Sequence, residues 1–181
     1  QLAPSLIKIP SAINTDLRMM DWLFGNYDGE IHVSLGMTKR DEEKALLELS
    51  EERGRIQDLV LYHCVSGYPV EVGDLNLLEI KRLISDYAHK VKAIGFSGHH
   101  KGISADIAAL SLGSTRFERH FTLDRTWKGT DHAASLEPDG LRRLTRDLKL
   151  VATALTPKTT EILQVEEEQR AKLKRLNISD K

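Results

Sequence analysis

Two histidines, His99 and His120, stand near the ends of two successive apolar β-like runs, with a helix-sized segment between them. Glu118 lies two residues before His120, and strand side chains alternate, so both leave the strand on one face. Two neutral imidazoles with a carboxylate beside them suit a divalent metal whose coordination is completed by water and substrate oxygens. Mn2+ or another first-row ion such as Co2+ matches these donors, with Mg2+ a looser match. A structural zinc site would want four protein ligands and more thiolates, and the chain has one cysteine, Cys64. His100 follows His99 directly and points away from it, as a supporting or surface residue. His63 lies inside a strand and reads as structural. His132, in an acidic, glycine-containing loop, is placed to approach the same strand ends.

Polar residues recur at the end of every other apolar run: Lys8 and Ser11, then Ser34, then Ser66 and Tyr68, then Ser97. Ser11, Ser34 and Ser97 can each donate a hydrogen bond and Lys8 supplies a positive charge, which together make a cradle for a phosphate or carboxylate. Each serine alone is as readily a packing residue. Cys64, buried on a strand, is better read as a small apolar residue than as a nucleophile.

The elements that position these groups alternate between β-branched runs and amphipathic helical stretches. Strands are expected at Leu6–Ser11, Glu30–Gly36, Asp58–Cys64, Val91–Ser97 and Arg116–Thr122. Helices are expected at Asp16–Gly25, from Thr38 (with Asp41 three residues on, in the manner of a capping box), at Leu75–Lys90 and at Ile103–Leu112. A last helix carries the stripe Leu141, Leu144, Leu148, Val151 and Leu155. Five βα units joined by short connections make a parallel sheet covered by helices. No glycine-rich phosphate loop follows a strand, which argues against a nucleotide-binding doubly wound sheet. A site fed by every strand is what a (β/α)8 TIM-type barrel builds at its mouth. The expected fold class is therefore α/β, a parallel TIM-type barrel of which the last five βα units are present and about three precede Gln1. Residues 1–155 form this partial barrel, and residues 156–181, with the charge run Glu166–Arg175, form a charged and helical tail.

The bulk composition narrows the function classes. The chain has 181 residues, 40% hydrophobic and 29% charged, with a net charge of −1. That balance offers no basic patch for nucleic acid or an anionic membrane surface, and no run approaches the roughly 18 apolar residues of a membrane span. A lone cysteine suits a reducing cytoplasm, the expected location.

With those residues in view, the chain closely resembles the sialic acid synthases, which condense phosphoenolpyruvate with a mannose-type sugar. The resemblance runs from about Ile7 to Arg146 and is carried by GFSGHHKGI, FERHFTLDRTWKGTDHAASLEP and the CVSGYP segment at Cys64–Pro69. KIPSA at Lys8–Ala12 and SLGMT at Ser34–Thr38 match the family's earlier strand-end motifs in order. The resemblance implies that His99 and His120 bind a divalent metal, usually Mn2+. It implies that Lys8, Ser11, Ser34 and Ser97 hold phosphoenolpyruvate, and that Tyr68 and Asp131 contact the sugar, with Ser66 beside them. Glu118 matches a strand-end glutamate near the reacting carbons and is the candidate catalytic residue.

The implied product is a nine-carbon 2-keto acid, formed from N-acetylmannosamine, its 6-phosphate or mannose 6-phosphate; the residues leave that choice open. The chain departs from the family in three ways. The front of the barrel is absent, so this piece alone is expected to be inactive. Ile13 stands where many members carry an acidic residue. A charged tail stands where many continue into a small antifreeze-like domain, which leaves homo-oligomerisation open. Two other readings stay open on the residues: a metal-dependent hydrolase on a similar barrel, using a metal-bound water, and a non-catalytic truncated relative.

Overall fold

The computed structural model describes residues 4–175, so residues 1–3 and 176–181 of the two expected segments lie outside it. Strands and helices alternate as β1 (Leu6–Ile9), α1 (Leu17–Asn26), β2 (Glu30–Ser34), α2 (Arg40–Glu52), β3 (Leu59–Cys64), α3 (Glu79–Tyr87), β4 (Ala93–Gly98), α4 (Ser104–Ser111), β5 (Arg116–Arg119), α5 (Pro138–Ala154) and α6 (Gln164–Leu173). The five strands are parallel and lie side by side in chain order. A doubly wound sheet reverses its strand order partway. Here every crossover steps in the same direction, and with right-handed connections all the covering helices fall on one face.

Alternation along the strands divides the sheet into two chemistries. One face contributes Ile9, Ile31, Val33, Leu59, Leu61, Ile94 and Phe96 to a single core, where they meet Met20, Leu23 and Phe24 of α1, Leu46 and Leu47 of α2, Ile80 and Leu83 of α3, and Ala109 of α4. The other face carries Lys8, His32, Ser34, Tyr62, Cys64, Gly95, Ser97 and Glu118, which the strand register sets in neighbouring rows. This polar face is curled inward. In a flat sheet, β1 and β5 would stand about 19 Å apart, four spacings of about 4.8 Å. Yet Lys8 Nζ on β1 reaches Glu118 Oε2 on β5 at 3.3 Å. Two side chains of that length meet only if the sheet bends toward its polar face, so the five strands form part of a barrel wall.

Several element boundaries differ from the sequence reading. Strands β1, β2 and β5 stop at Ile9, Ser34 and Arg119; turns follow the first two, while after β5 the backbone at His120–Thr122 pairs instead with Leu136. Helix α2 begins at Arg40, and its first turn is closed by Glu42, whose carboxylate accepts from the Lys39 N–H at 2.8 Å. The expected Thr38–Asp41 box does not form, since the Thr38 hydroxyl donates to the Gly36 carbonyl and accepts from Asn14 Nδ2. Helix α3 starts at Glu79, preceded by a short 3-10 turn at Val72–Asp74. Asp16, expected as the first helical residue, instead caps α1, accepting from the Met19 N–H at 3.1 Å. The stripe on α5 is present, but only Leu144 of it is buried, while Leu141 and Leu155 face solvent. Helix α6, within the expected tail, is exposed throughout. No helix among the described residues is long and apolar enough to cross a membrane.

Candidate active site

The polar face closes around a layered cluster. Tyr62 forms its floor, and there is room for that ring only because residue 95 of the neighbouring strand is glycine. A Cβ at Gly95 would lie 2.6 Å from Tyr62 Cε1. Lys8 Nζ sits over the Tyr62 ring, 5.6 Å from its centroid. Burial pushes the Tyr62 hydroxyl up to about 12, so it stays protonated and lies 2.9 Å from His32 Nδ1. His32 Nε2 in turn meets Glu30 at 3.1 Å.

Above this floor the sequence-predicted residues converge. Lys8 Nζ donates to Ser34 Oγ at 2.8 Å and pairs with Glu118 Oε2 at 3.3 Å, while Ser97 Oγ donates to Glu118 Oε1 at 2.7 Å. Ser11 Oγ accepts from the Gly36 N–H at 3.0 Å and approaches Cys64 Sγ at 3.5 Å. Ser66 Oγ is buried without a hydrogen-bond partner. It is directed at the space that Gly36 leaves open: a Cβ there would meet Ser66 Oγ at 2.4 Å, Ser11 Oγ at 2.7 Å and Cys64 Sγ at 3.1 Å. The Lys8 ammonium and the Ser11, Ser34 and Ser97 hydroxyls thus stand on one face beside the Glu118 carboxylate, and the ammonium and hydroxyls are donor types that an anion site uses.

The two imidazoles form the second half of the cluster. The His99 and His120 rings lie edge to face with centroids 5.0 Å apart, and Tyr68 packs against both at 4.6 and 5.7 Å. His99 Nδ1 donates to the Val65 carbonyl at 3.0 Å, which places its proton there and leaves Nε2 free. Asp131 Oδ2 stands 3.6 Å from His120 Nδ1, close enough to favour a positive charge there but beyond hydrogen-bond distance. Burial holds both imidazoles below their ordinary value, reinforced at His120 by the neighbouring His99, so both are neutral near pH 7. Burial, then the charges of Cys64, Asp131 and Glu118, pushes the Tyr68 hydroxyl up. Two neutral imidazoles, one of them with its Nδ1 fixed by a backbone carbonyl and its Nε2 left free, are donors that suit a first-row divalent ion. Among the described residues, no group of three or more His, Cys, Asp or Glu could hold a metal by itself. Water or substrate would have to complete the shell.

The remaining histidines separate as follows. His63 Nε2 donates to the Leu75 carbonyl at 2.8 Å and stacks on Phe96 outside the sheet, a structural role. His132 contacts Thr122 Oγ1 at 2.8 Å and packs on Trp127, anchoring the loop that carries Asp131. His100 is not at the surface: it is buried against Asp106 and Arg119 behind the strands. Sequence reasoning missed Tyr62, Gly36, Gly95 and Asn14. Asn14 is buried and donates to the Ser34 carbonyl at 2.8 Å, fixing the loop that follows β2. Tyr62 was within reach, because it lies two residues before Cys64 and therefore on the same face.

Fold and site together define a β/α protein with a partial-barrel parallel sheet that sets a lysine, serine and glutamate cluster beside two imidazoles at the carboxyl ends of its strands. The sequence profile of the NeuB family matches residues 1–160, and the chain belongs to that family. It is 40% identical over 136 residues to the human N-acetylneuraminate-9-phosphate synthase, covering 74% of this chain and 36% of that one. It is 33% identical over 156 residues to the N,N'-diacetyllegionaminic acid synthase of Campylobacter jejuni, covering 86% and 46%. Among solved structures, the N-acetylneuraminic acid synthetase of Leptospira borgpetersenii superposes with a TM-score of 0.80 at 28% identity, over 95% of this chain and 59% of that one. The chain thus spans about a third to a half of the length of the curated relatives it matches.

Proposed function

We propose that this chain forms the strand-end wall of a sialic acid-type synthase that condenses phosphoenolpyruvate with a mannose-type sugar and releases phosphate. In this reading, its five βα units join about three more to close a (β/α)8 barrel. One observation supports the proposal: Lys8, Ser34 and Ser97 are linked through Glu118, whose charge also acts on the two neutral imidazoles beside them, so donors for an anion adjoin candidate metal ligands. An anionic enol ester and a carbonyl acceptor need such a pair of neighbouring sites. The names of the relatives point the same way.

Lys8, Ser11, Ser34 and Ser97 hold the phosphate and carboxylate of phosphoenolpyruvate over the Tyr62 floor. Ser66, Tyr68 and Asp131 face the sugar. His99 and His120 hold the divalent ion, Mn2+ in the first instance, through their free nitrogens. That ion supplies Lewis-acid polarisation of the acceptor aldehyde. The enol carbon C3 bonds to the aldehyde carbon, whose oxygen takes up a proton, and C2 is left electron-deficient. Water adds at C2 and gives up both its protons, one matching that taken up by the aldehyde oxygen and one leaving with the phosphate, as the C2–O bond to phosphate breaks to leave the ketone. Glu118, held by Ser97 and Lys8, is placed to orient that water and to offset positive charge at C2.

The test is an assay of inorganic phosphate with the chain completed to a full barrel. Release is expected only when phosphoenolpyruvate, a mannose-type acceptor and a divalent ion are all present, and His99→Ala or His120→Ala should abolish it. Release indifferent to the sugar would reject the proposal in favour of a hydrolase.

A further inference from the structure

Behind β4 and β5, on the face away from the site, three charged or polar side chains are sealed from solvent. Asp106 of α4 is fully buried, and the Arg119 and His100 side chains are almost so. Arg119 Nη1 donates to Asp106 Oδ2 at 2.5 Å and to the Gly102 carbonyl at 2.9 Å, and Nη2 donates to the His100 carbonyl at 2.6 Å. His100 Nε2 lies 3.2 Å from both Asp106 Oδ2 and Arg119 Nη1. The His100 ring occupies space that Gly98 leaves free, since a Cβ there would come within 3.0 Å of its Nδ1.

Arg119 lies between Glu118 and His120 in the chain, and His100 follows His99. Alternation sends the side chains of Arg119 and His100 to the back while their neighbours face the site. One guanidinium therefore ties the end of β5 to the loop after β4 by bonding the backbone at His100 and Gly102. A buried ion pair with several unsatisfied atoms (His100 Nδ1, Asp106 Oδ1 and Arg119 Nε) is a poor means of adding stability, because its desolvation offsets most of its attraction. Fixing two backbones in register is a more economical account of it.

We infer that the Asp106–Arg119–His100 cluster sets the relative placement of His99 and His120, with Arg119 as a positioning residue for the imidazole pair. The inference rests on the reading of that pair as the metal-binding centre, and its test also reads the pair without metal. The variants are Arg119→Lys, which keeps the charge but loses the planar fork, and Asp106→Asn, which keeps the shape of the acceptor.

Histidine side-chain 15N–1H spectra of the metal-free protein, with circular dichroism as a control for folding, supply the first readout. Both variants should stay folded, yet the His99 and His120 ring signals should shift and the His99 Nδ1–H tautomer should lose its preference, while the signals of the exposed His89 stay in place. Mn2+ affinity, the second readout, should weaken by about 10- to 100-fold, the usual cost of removing a residue that orients metal ligands. Folded variants with unchanged His99 and His120 signals would overturn the inference. If the unaltered protein fails to bind Mn2+ while the ring signals shift as expected, the positioning role stands and the metal reading falls.

Discussion

Substituting alanine for Gly95 probes how the floor of the site supports its lysine. The new Cβ would lie 2.6 and 2.7 Å from Tyr62 Cε1 and Cδ1, and 2.8 Å from the Arg116 carbonyl oxygen. Ordinary carbon contacts begin near 3.5 Å, so the ring has to retreat by about 0.9 Å. Tyr62 is buried and held at its hydroxyl by His32 at 2.9 Å, so it cannot retreat without straining that bond. Overpacking of this kind costs about 1–3 kcal/mol, which for a chain of this size lowers the melting temperature by about 2–12 °C. Because Lys8 Nζ rests over the same ring, the substitution should also weaken phosphoenolpyruvate binding in the completed barrel. The assay is urea unfolding of Gly95→Ala alone and combined with Tyr62→Val, which removes the two ring atoms at issue. The double-mutant cycle should give a coupling of about 1 kcal/mol or more, the residual cost reporting the Arg116 carbonyl. An equal cost in both backgrounds would refute the account of the floor.

Two further outcomes follow from packing and charge. Glu43 is buried and accepts from Arg82 Nη1 and Nη2 at 2.9 and 3.0 Å, clamping α2 to α3; Glu43→Gln should cost about 2 kcal/mol in urea unfolding, and a loss below about 0.5 kcal/mol would reduce the clamp to an ordinary surface pair. Burial depresses His63 below its usual 6.5, so the unfolded chain takes up its proton first. The associated stability is present above pH 6.5 and is lost as pH falls toward the folded value. The stability gap between the unaltered protein and His63→Gln should therefore change between pH 8 and pH 5, and a constant gap would contradict the neutral, buried assignment.

The order of the elements and the polar face were legible in the sequence because both depend on local period. Alternation placed Glu118 and His120 on one face, recurrence at strand ends grouped Lys8, Ser34 and Ser97, and the structure brings these five residues to one region. What the sequence could not show were features set by neighbouring strands. The space for Tyr62 is made by Gly95 on another strand, and nothing near either residue announces the pairing. The choice between the supporting and surface readings of His100 was open for the same reason, since Asp106 and Arg119 reach it from a helix and a different strand and bury it. Helix starts were misplaced where a side chain found a better partner than the first turn. Thr38, engaged by Asn14 and Gly36, is the clearest case. The α5 stripe was correctly periodic, yet periodicity says nothing about what covers it, and Leu141 and Leu155 remain exposed.

The central claim is that water attacks carbon C2 of phosphoenolpyruvate, so that its C–O bond breaks, and that this happens only with a sugar acceptor bound. The most direct measurement is turnover of the completed barrel in 18O-labelled water, with mass analysis of the released phosphate. The account predicts sugar-dependent release of phosphate that carries no label. Labelled phosphate, appearing with or without the sugar, would place the attack at phosphorus and contradict it.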